Sequence, residues 1–294
     1  MKTTVSQQKE WIERTLKGAI PSSDCLEKDL YRSMEYSLLA GGKRIRPILL
    51  LEFYKACGGD PQDVLLFAAA VEMIHTYSLI HDDLPCMDND HTRRGLPSNH
   101  IVFGEDIALL AGDALLNLAF ETMLSEQSIE KVGAEKAIKA AHILARESGS
   151  TGMIAGQVID LTHEGKNISL SVLKEMDHKK TGALIKAACL MGCVLADADE
   201  KELKAADFFA EALGLSFQIV DDILDVTADP SELGKPIGSD ESNQKSTYVS
   251  IFGIEKSKEL VEKLTKEAIQ ALGQFSGDTS NLKELSLSLQ TRRN

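Results

Sequence analysis

The chain has no regular succession of segments in which apolar and polar residues alternate, as the strands of a sheet would require. Its clearest pattern is helical. In residues 61–83, Ala68, Val71, His75, Ser78 and Asp82 follow one another at intervals of three, four, three and four, which places them on one helical face. That face is apolar at its start and polar at its end. The pattern predicts an all-α protein in which this helix lines a deep cavity, with its chemistry at the mouth.

Glycine and proline residues divide the chain into helices rather than into domains. There is no long low-complexity linker and no repeat with a solenoid period, so residues 1–294 are predicted to form one domain. A polar loop within 226–247, which contains Gly234, Pro236 and Gly238, is long enough to be functional. The predicted helices span 5–17, 25–39, 45–57, 61–83, 105–124, 134–147, 151–161, 171–195, 201–226, 247–252, 255–272 and 281–290.

Composition and charge narrow the class of function. The formal charge of -13 argues against a nucleic-acid-binding protein, which would neutralise phosphates with a basic face. The five cysteines form no CxxC pair and are typical of reduced residues in the cytosol. The first residues are polar, unlike a signal peptide, and no uncharged apolar stretch reaches the roughly 18 residues of a membrane span. The sequence therefore predicts a cytoplasmic protein with no nucleic-acid partner and no membrane span.

Two clusters of aspartates end two of the apolar helices. They consist of Asp82, Asp83 and Asp88, and of Asp221, Asp222 and Asp225. Crowded carboxylates repel one another unless a cation is present, and Mg2+ suits them because it takes oxygen ligands and is completed by waters and substrate phosphates. Either cluster alone would also be typical of a solvated acidic helix end. Two such clusters, one of them followed by Arg-Arg-Gly, predict a site that holds diphosphate groups through metal ions.

Arginines and a lysine that could bind phosphate occur in two short segments. Residues 41–47, GGKRIRP, place Lys43, Arg44 and Arg46 at the start of a helix, where backbone N–H groups also favour anions. Arg93 and Arg94 follow the first aspartate cluster, and each can grip phosphate oxygens in bidentate fashion. Both segments are candidates for binding an anionic substrate.

Further candidate cations are Lys180, Lys235 and Lys245, although an ordinary surface position is the alternative for each of them. His75 lies two turns before Asp82 on the same helical face. A lone histidine on an apolar face usually belongs to the core, but this position makes His75 a candidate for the site.

Taken together, these segments resemble the trans-polyprenyl diphosphate synthases, with the greatest likeness to bacterial farnesyl diphosphate synthases. The likeness covers nearly the whole chain, and the motifs have the family's order and spacing: GGKRIRP, HTYSLIHDDLPCMDND, RRG, AGDALL, GMIAGQ, KTG, FQIVDDILD, LGK and QKSTY. It implies a single-domain helical bundle of the isoprenoid synthase type around a large central cavity, usually a homodimer. It also implies head-to-tail condensation of isopentenyl diphosphate with an allylic diphosphate.

The resemblance also implies roles for individual residues. Three Mg2+ ions would hold the allylic diphosphate through Asp82, Asp83, Asp88 and Asp221, with help from Asp222 and Asp225. The same diphosphate would be clamped by Arg93, Lys180 and Lys235, with Thr181, Gln218 and Lys245 nearby. Isopentenyl diphosphate would be held by Lys43, Arg46, His75 and Arg94. The catalytic group would comprise Asp82, Asp83, Asp221 and Lys180.

In the family, the length of the product depends on residues below the first aspartate. Tyr77 and Ser78 stand five and four positions before Asp82. A bulky residue at the former position closes the cavity floor in related synthases, so Tyr77 implies farnesyl diphosphate as the product. The alternative is a geranylgeranyl diphosphate synthase with a longer product.

Two features of the chain stand apart from this pattern. His91 replaces an acidic residue that relatives usually carry, and a peripheral effect is expected. The tail carries Arg292, and in some relatives a terminal arginine approaches isopentenyl diphosphate. Terpene cyclases and non-catalytic subunits of heteromeric synthases are competing classes, but the second aspartate cluster argues against both.

Overall fold

The structure is a computed structural model that describes residues 4–21, 24–227 and 246–292. In chain order its first elements are α1 (Val5–Ala19), α2 (Lys28–Leu38), α3 (Ile45–Ala56), a 3-10 turn (Pro61–Val64), α4 (Leu65–Asp82), β1 (Thr92–Arg93), β2 (Leu96–Pro97), α5 (Asn99–Phe103), α6 (Glu105–Met123) and α7 (Glu126–Val132). There follow α8 (Ala134–Ser148), α9 (Met153–His163), α10 (Leu170–Asp177), a π turn (His178–Gly182), α11 (Ala183–Leu195), α12 (Glu200–Thr227), α13 (Tyr248–Phe252), α14 (Ile254–Ala271), a 3-10 turn (Leu272–Gln274) and α15 (Ser280–Gln290).

The predicted all-α fold is confirmed: the chain forms a single helical domain around one hydrophobic core, to which residues from Ile12 to Leu289 contribute. Helix α4 is apolar on nearly all sides and packs most extensively against α6. Helix α11 packs against α3 and α8, and α12 packs against α14. The packing brings the ends of α4 and α12, which carry the two aspartate clusters, into the same region as the start of α3.

The segment Pro61–Asp82 is long and apolar enough to cross a membrane by length and composition, and 67% of its apolar 18-residue window is buried inside the fold. The core helix of a soluble protein passes the same test. Burial of most of this segment is what the sequence pattern predicted.

Several predicted boundaries shift, and three elements were missed. The second helix begins at Lys28 rather than at residue 25, and the segment predicted as one helix from residue 61 opens with a 3-10 turn. Helices α5 and α7 and the hairpin formed by β1 and β2 were not predicted. Each is too short to show a period of 3.6 or of 2 in its sequence, so the hydrophobic pattern does not reveal it.

The predicted helix over 171–195 is present as a continuous helical path, but a π turn at His178–Gly182 interrupts its α-helical hydrogen bonding and separates α10 from α11. Two glycines allow neighbouring helices to approach this turn. A Cβ added to Gly156 of α9 would lie 2.2 Å from the backbone nitrogen of Lys180. One added to Gly214 of α12 would lie 3.1 Å from the Gly182 Cα. The close approach fixes Lys180 and Thr181 beside α9 and α12, and such π turns often occur at functional sites.

Candidate active site

The first aspartate cluster is built at the C-terminus of α4. Asp82 is the last residue of the helix and Asp83 its C-cap, and the chain then turns back so that the Asp88 N–H donates to the Asp82 carbonyl at 2.8 Å. Asn89, with φ of 53°, completes the turn in the left-handed conformation. A helix C-terminus carries partial negative charge, so carboxylates gathered there need a cation nearby.

The charge of Asp82 is only partly compensated by its surroundings. Its pKa is raised to about 6, first because it is partly buried, while Lys180 opposes the shift and Asp88 and Asp83 reinforce it. A divalent ion would remove this penalty, because a metal-bound carboxylate must be deprotonated. The environment of Asp82 therefore fits a metal ligand.

Asp83 points into the protein and is held by an arginine. Arg93 donates from Nε to Asp83 Oδ1 at 2.9 Å, makes a second bond to the same carboxylate, and bonds to Asp90 Oδ2 at 2.9 Å. Only 3% of the Asp83 side chain is exposed. Burial raises the pKa of Asp83, and the bonds from Arg93 act against that shift. In the described structure Arg93 is therefore occupied in holding the loop and Asp83 together.

The second cluster lies on the last turns of α12. Asp222 is buried and accepts hydrogen bonds from Gln218 Nε2 at 3.3 Å and from the Tyr248 N–H at 2.8 Å. Asp221 and Asp225 are only partly buried. Thr181 Oγ1 in turn donates to Gln218 Oε1 at 3.2 Å. The predicted neighbours Gln218 and Thr181 thus form one hydrogen-bonded chain that orients Asp222.

Three contacts that support the clusters were not predicted from the sequence. Lys180 Nζ bonds to Asp160 of α9 at 2.5 Å, and Lys180 also acts electrostatically on Asp82 and Asp88. Behind Asp222 lies Asp177, whose pKa is raised to about 8, first by burial and then by the charge of Asp222. Gly156, four positions before Asp160, allows α9 to approach Lys180, but a single glycine in the sequence does not identify the partner helix. For Asp177 we find no signal in the sequence.

The third unpredicted contact comes from Arg292, two residues beyond α15. Its Nη2 atom donates to Asp221 Oδ1 at 2.5 Å and to the Phe217 carbonyl at 3.0 Å. The side chain of Arg292 is 9% exposed. The sequence indicated only that an arginine near this position could approach substrate.

The basic segment 41–47, at the start of α3, divides into one structural residue and two candidate binding residues. Arg44 is buried and bonds to Glu72 at 2.5 Å and to Glu13 at 2.8 Å, which makes it part of the fold. Lys43 is exposed, but partial desolvation of its ammonium group lowers its pKa, Arg292 adds to that shift, and Asp221 opposes it. These contacts place Lys43 near the second aspartate cluster.

Arg46, His75 and Arg94 lie close together. Arg46 Nη1 is 3.5 Å from His75 Nε2, and Arg94 Nη1 donates to the Gly41 carbonyl at 2.5 Å. The pKa of His75 is held well below its ordinary value, first by burial and then by the positive charges of Arg46 and Arg94. His75 is therefore neutral near neutral pH, and the group remains cationic through its two arginines.

Tyr77 and Ser78 lie on α4 below the first aspartate. Tyr77 is 5% exposed, its ring meets the His81 ring edge-on at 5.7 Å, and its hydroxyl has no hydrogen-bond partner among the described residues. Burial raises its pKa to about 12, with Asp82 adding to the shift. Ser78 Oγ donates to the His75 carbonyl at 2.9 Å, within its own helix. The bulk at this level of α4 is thus supplied by Tyr77.

Two predicted substrate contacts, Lys235 and Lys245, and the loop 234–243 lie outside the described residues. Beside Lys180 and Thr181 is a cavity of about 140 Å³ that also reaches Asp160, Gln218 and Asp222. Of the second cluster, Asp222 lines this small polar space.

The donor chemistry suits Mg2+. Within residues 4–21, 24–227 and 246–292, no group of three or more His, Cys, Asp or Glu side chains is arranged to hold a metal ion by itself. Mg2+ is commonly bound through one or two carboxylates, with waters and substrate phosphates completing its shell. Carboxylate pairs on two separated helix ends, with cations around them, therefore fit a metal whose coordination shell is completed by waters and, once substrate is bound, by diphosphate oxygens.

Comparison with known proteins agrees with this geometry. The profile of the polyprenyl synthetase family matches residues 27–285. The chain is 46% identical over 272 residues to a heterodimeric geranylgeranyl pyrophosphate synthase large subunit of Arabidopsis thaliana, covering 92% of this chain and 73% of the relative. It is 46% identical over 274 residues to a geranylgeranyl diphosphate synthase of Cyanophora paradoxa, covering 93% and 90%.

Two solved structures share the whole fold. One is an FPP/GFPP synthase from Zymomonas mobilis, with a TM-score of 0.87, 30% identity and coverage of 98% of this chain and 97% of that one. The other is a putative farnesyl-diphosphate synthase from Marinomonas sp., with a TM-score of 0.82, 37% identity and coverage of 98% and 99%. The chain thus belongs to the polyprenyl synthetase family of prenyltransferases, as its motifs predicted.

Proposed function

We propose that the chain condenses isopentenyl diphosphate head-to-tail with dimethylallyl and geranyl diphosphate to give (2E,6E)-farnesyl diphosphate. Membership of the family supports prenyl transfer. The presence of two separate charged regions at the site supports the binding of two diphosphate substrates. Asp82, Asp88 and Lys180 form one charged region. Arg46, His75 and Arg94 form another, which has cations but no paired metal-binding carboxylates.

The first region would receive the allylic diphosphate. Up to three bound Mg2+ ions would supply Lewis-acid neutralisation of the departing diphosphate. Lys180, fixed by Asp160 and the π turn, would add a positive charge aimed at the same leaving group without reorganising. Allylic C–O cleavage then yields a delocalised carbocation and free diphosphate.

The second region would hold isopentenyl diphosphate through Arg46, Arg94 and the more exposed Lys43. A neutral His75 can accept or donate a hydrogen bond there without adding charge. The isopentenyl double bond attacks the carbocation to form the new C–C bond, and a proton leaves to the released diphosphate. Apolar surroundings must exclude water, which would otherwise trap the cation as an alcohol.

The second candidate product is geranylgeranyl diphosphate. Curated relatives are named geranylgeranyl diphosphate synthases. The comparisons therefore support this alternative product better than they support farnesyl diphosphate. The observation in favour of farnesyl is the buried ring of Tyr77 below Asp82. Purified protein with Mg2+, isopentenyl diphosphate and each allylic primer, followed by chromatography of the products, decides between C15 and C20. No condensation with any primer would refute the proposed function.

Tyr77→Ala is expected to lengthen the product by at least one isoprene unit, because it removes the bulk that limits the growing chain. The ratio of C20 to C15 products should rise at least about tenfold, which corresponds to about 1.4 kcal/mol. Tyr77→Phe is the matched control, since it keeps the ring and removes only the unpaired hydroxyl, and should leave the ratio unchanged. An unchanged ratio in Tyr77→Ala would show that another residue forms the floor.

We also propose that the chain forms a homodimer through the exposed apolar face of α5 and α6. Ile101, Val102, Leu109 and Leu110 are 50%, 47%, 46% and 52% exposed. Adjacent apolar residues exposed to this extent often mark an interaction surface. Leu110→Glu is expected to shift the mass measured by light scattering from a dimer towards the 32.1 kDa monomer. Leu287→Glu, equally 52% exposed on α15, should remain dimeric; identical behaviour of the two variants would contradict this interface.

The cytoplasmic location stays a prediction, because the Arabidopsis relative is described as chloroplastic. It is tested by fractionating cells that express the chain at its natural level.

A further inference from the structure

Arg292 forms a salt bridge with a carboxylate of the second aspartate cluster. Its guanidinium bonds to Asp221 Oδ1 at 2.5 Å and to the Phe217 carbonyl at 3.0 Å. The same group stacks on the Phe217 ring, with Cζ 3.9 Å from the ring centroid. Three separate interactions, a salt bridge, a hydrogen bond and a cation–π contact, thus fix one side chain on Asp221.

Helix α15, which precedes Arg292, is packed against the core, and this packing restricts where the guanidinium of Arg292 can lie. Leu282 and Leu289 of α15 are buried in the core. Asn281 Nδ2, at the other end of α15, bonds to the buried Glu52 at 2.9 Å. Arg292 follows this helix by two residues and is therefore held close to α12 by packing as well as by charge.

From these contacts we propose that Arg292 is a resident counter-ion of Asp221, which a metal ion must displace before it can bind there. The inference rests on the proposed metal-binding role of Asp221. A guanidinium and a metal ion compete for the same carboxylate oxygen and repel each other. Arg292 thereby sets the affinity of the second cluster for metal, and in the metal-free protein it stabilises a carboxylate that neighbours Asp222 and Asp225.

Two opposite effects follow when Arg292 is replaced. The metal meets no competitor, so its affinity rises. The metal-free protein loses a charge-assisted contact, so its thermal stability falls. A purely structural arginine would produce the second effect without the first, and an arginine that only binds substrate would produce neither in the absence of diphosphate.

The test titrates Mn2+ alone into substrate-free protein and follows the free ion by electron paramagnetic resonance. Arg292→Gln is expected to lower the Mn2+ dissociation constant about tenfold, equivalent to about 1.4 kcal/mol. It is also expected to lower the melting temperature in EDTA. Arg292→Lys should fall between wild type and Arg292→Gln, because it keeps the charge and loses the planar stacking. Arg146→Gln is the matched control: its side chain is 53% exposed and pairs with Glu147, and it should change neither quantity.

Asp221→Asn separates this inference from the proposed function. If Asp221→Asn leaves Mn2+ binding unchanged, the metal assignment itself fails. If Asp221→Asn weakens binding while Arg292→Gln leaves it unchanged or weaker, only the counter-ion role is overturned. In the Asp221→Asn background the further change Arg292→Gln should have no effect on Mn2+ affinity, since the coupling between the two side chains has been removed.

Discussion

Asp82→Asn is expected to lower kcat for condensation of geranyl and isopentenyl diphosphates by about 10³-fold or more. The substitution keeps the shape of the side chain and removes the charge that would hold metal against the leaving diphosphate. Loss of one preorganised electrostatic contact costs about 10²–10³ in rate, and Asp82 affects both metal binding and leaving-group stabilisation. Steady-state assays at saturating Mg2+ measure the change. Asp29→Asn, 63% exposed on α2, is the control and should retain wild-type turnover; a near-normal rate in Asp82→Asn would refute the metal assignment.

The same variant should stabilise the metal-free protein at neutral pH. The pKa of Asp82 is 3.8 as the ordinary value and about 6 in the fold. Stability linked to its protonation is therefore fully present below pH 3.8 and lost as pH rises through about 6. At pH 7.5, in EDTA, Asp82→Asn should raise the free energy of unfolding by up to about 3 kcal/mol. The gain should shrink as the pH falls towards 4, and urea unfolding at several pH values measures it. A gain independent of pH would exclude the buried charge as its cause.

Arg44→Met is expected to lower the free energy of unfolding by about 3–5 kcal/mol, because it leaves the buried Glu72 without its main partner. Both side chains of this pair are almost fully enclosed, at 0% and 2% exposure. Arg94, 3.6 Å from Glu72, can replace only part of the lost interaction. Urea unfolding at pH 7.5 provides the measurement.

Arg32→Met supplies the matched control for that experiment. The side chains of Arg32 and its partner Asp29 are 58% and 63% exposed. Exposed ion pairs contribute about 0–1 kcal/mol to the free energy of unfolding. A loss within about 1 kcal/mol for both variants would show that Arg44 is not needed to compensate Glu72.

The helical face that ends in Asp82 could be predicted because α4 obeys a local rule: its period alone places His75 and Asp82 on one side. The aspartate clusters and Arg94 could likewise be recognised as short, contiguous patterns. Each of these features could be predicted because it depends only on residues that are close together in the sequence.

The partners of those residues could not be predicted, because they depend on helices far apart in the chain. Arg44 looked like Lys43 and Arg46 in the sequence, yet its pairing with Glu72 and Glu13 makes it structural. Asp160 reaches Lys180 only because a π turn, which leaves no clear hydrophobic pattern, faces α9. The position of Arg292 on Asp221 depends on how α15 packs against the core.

The central claim is that both aspartate clusters act on the same allylic diphosphate. The most direct measurement counts Mn2+ ions bound per chain in the presence of an allylic thiolodiphosphate, whose C–S bond resists ionisation. The prediction is about three ions for the wild type, with fewer ions and weaker analogue binding in Asp82→Asn and Asp221→Asn alike. Retention of the wild-type number of ions and of analogue affinity by either variant would contradict it.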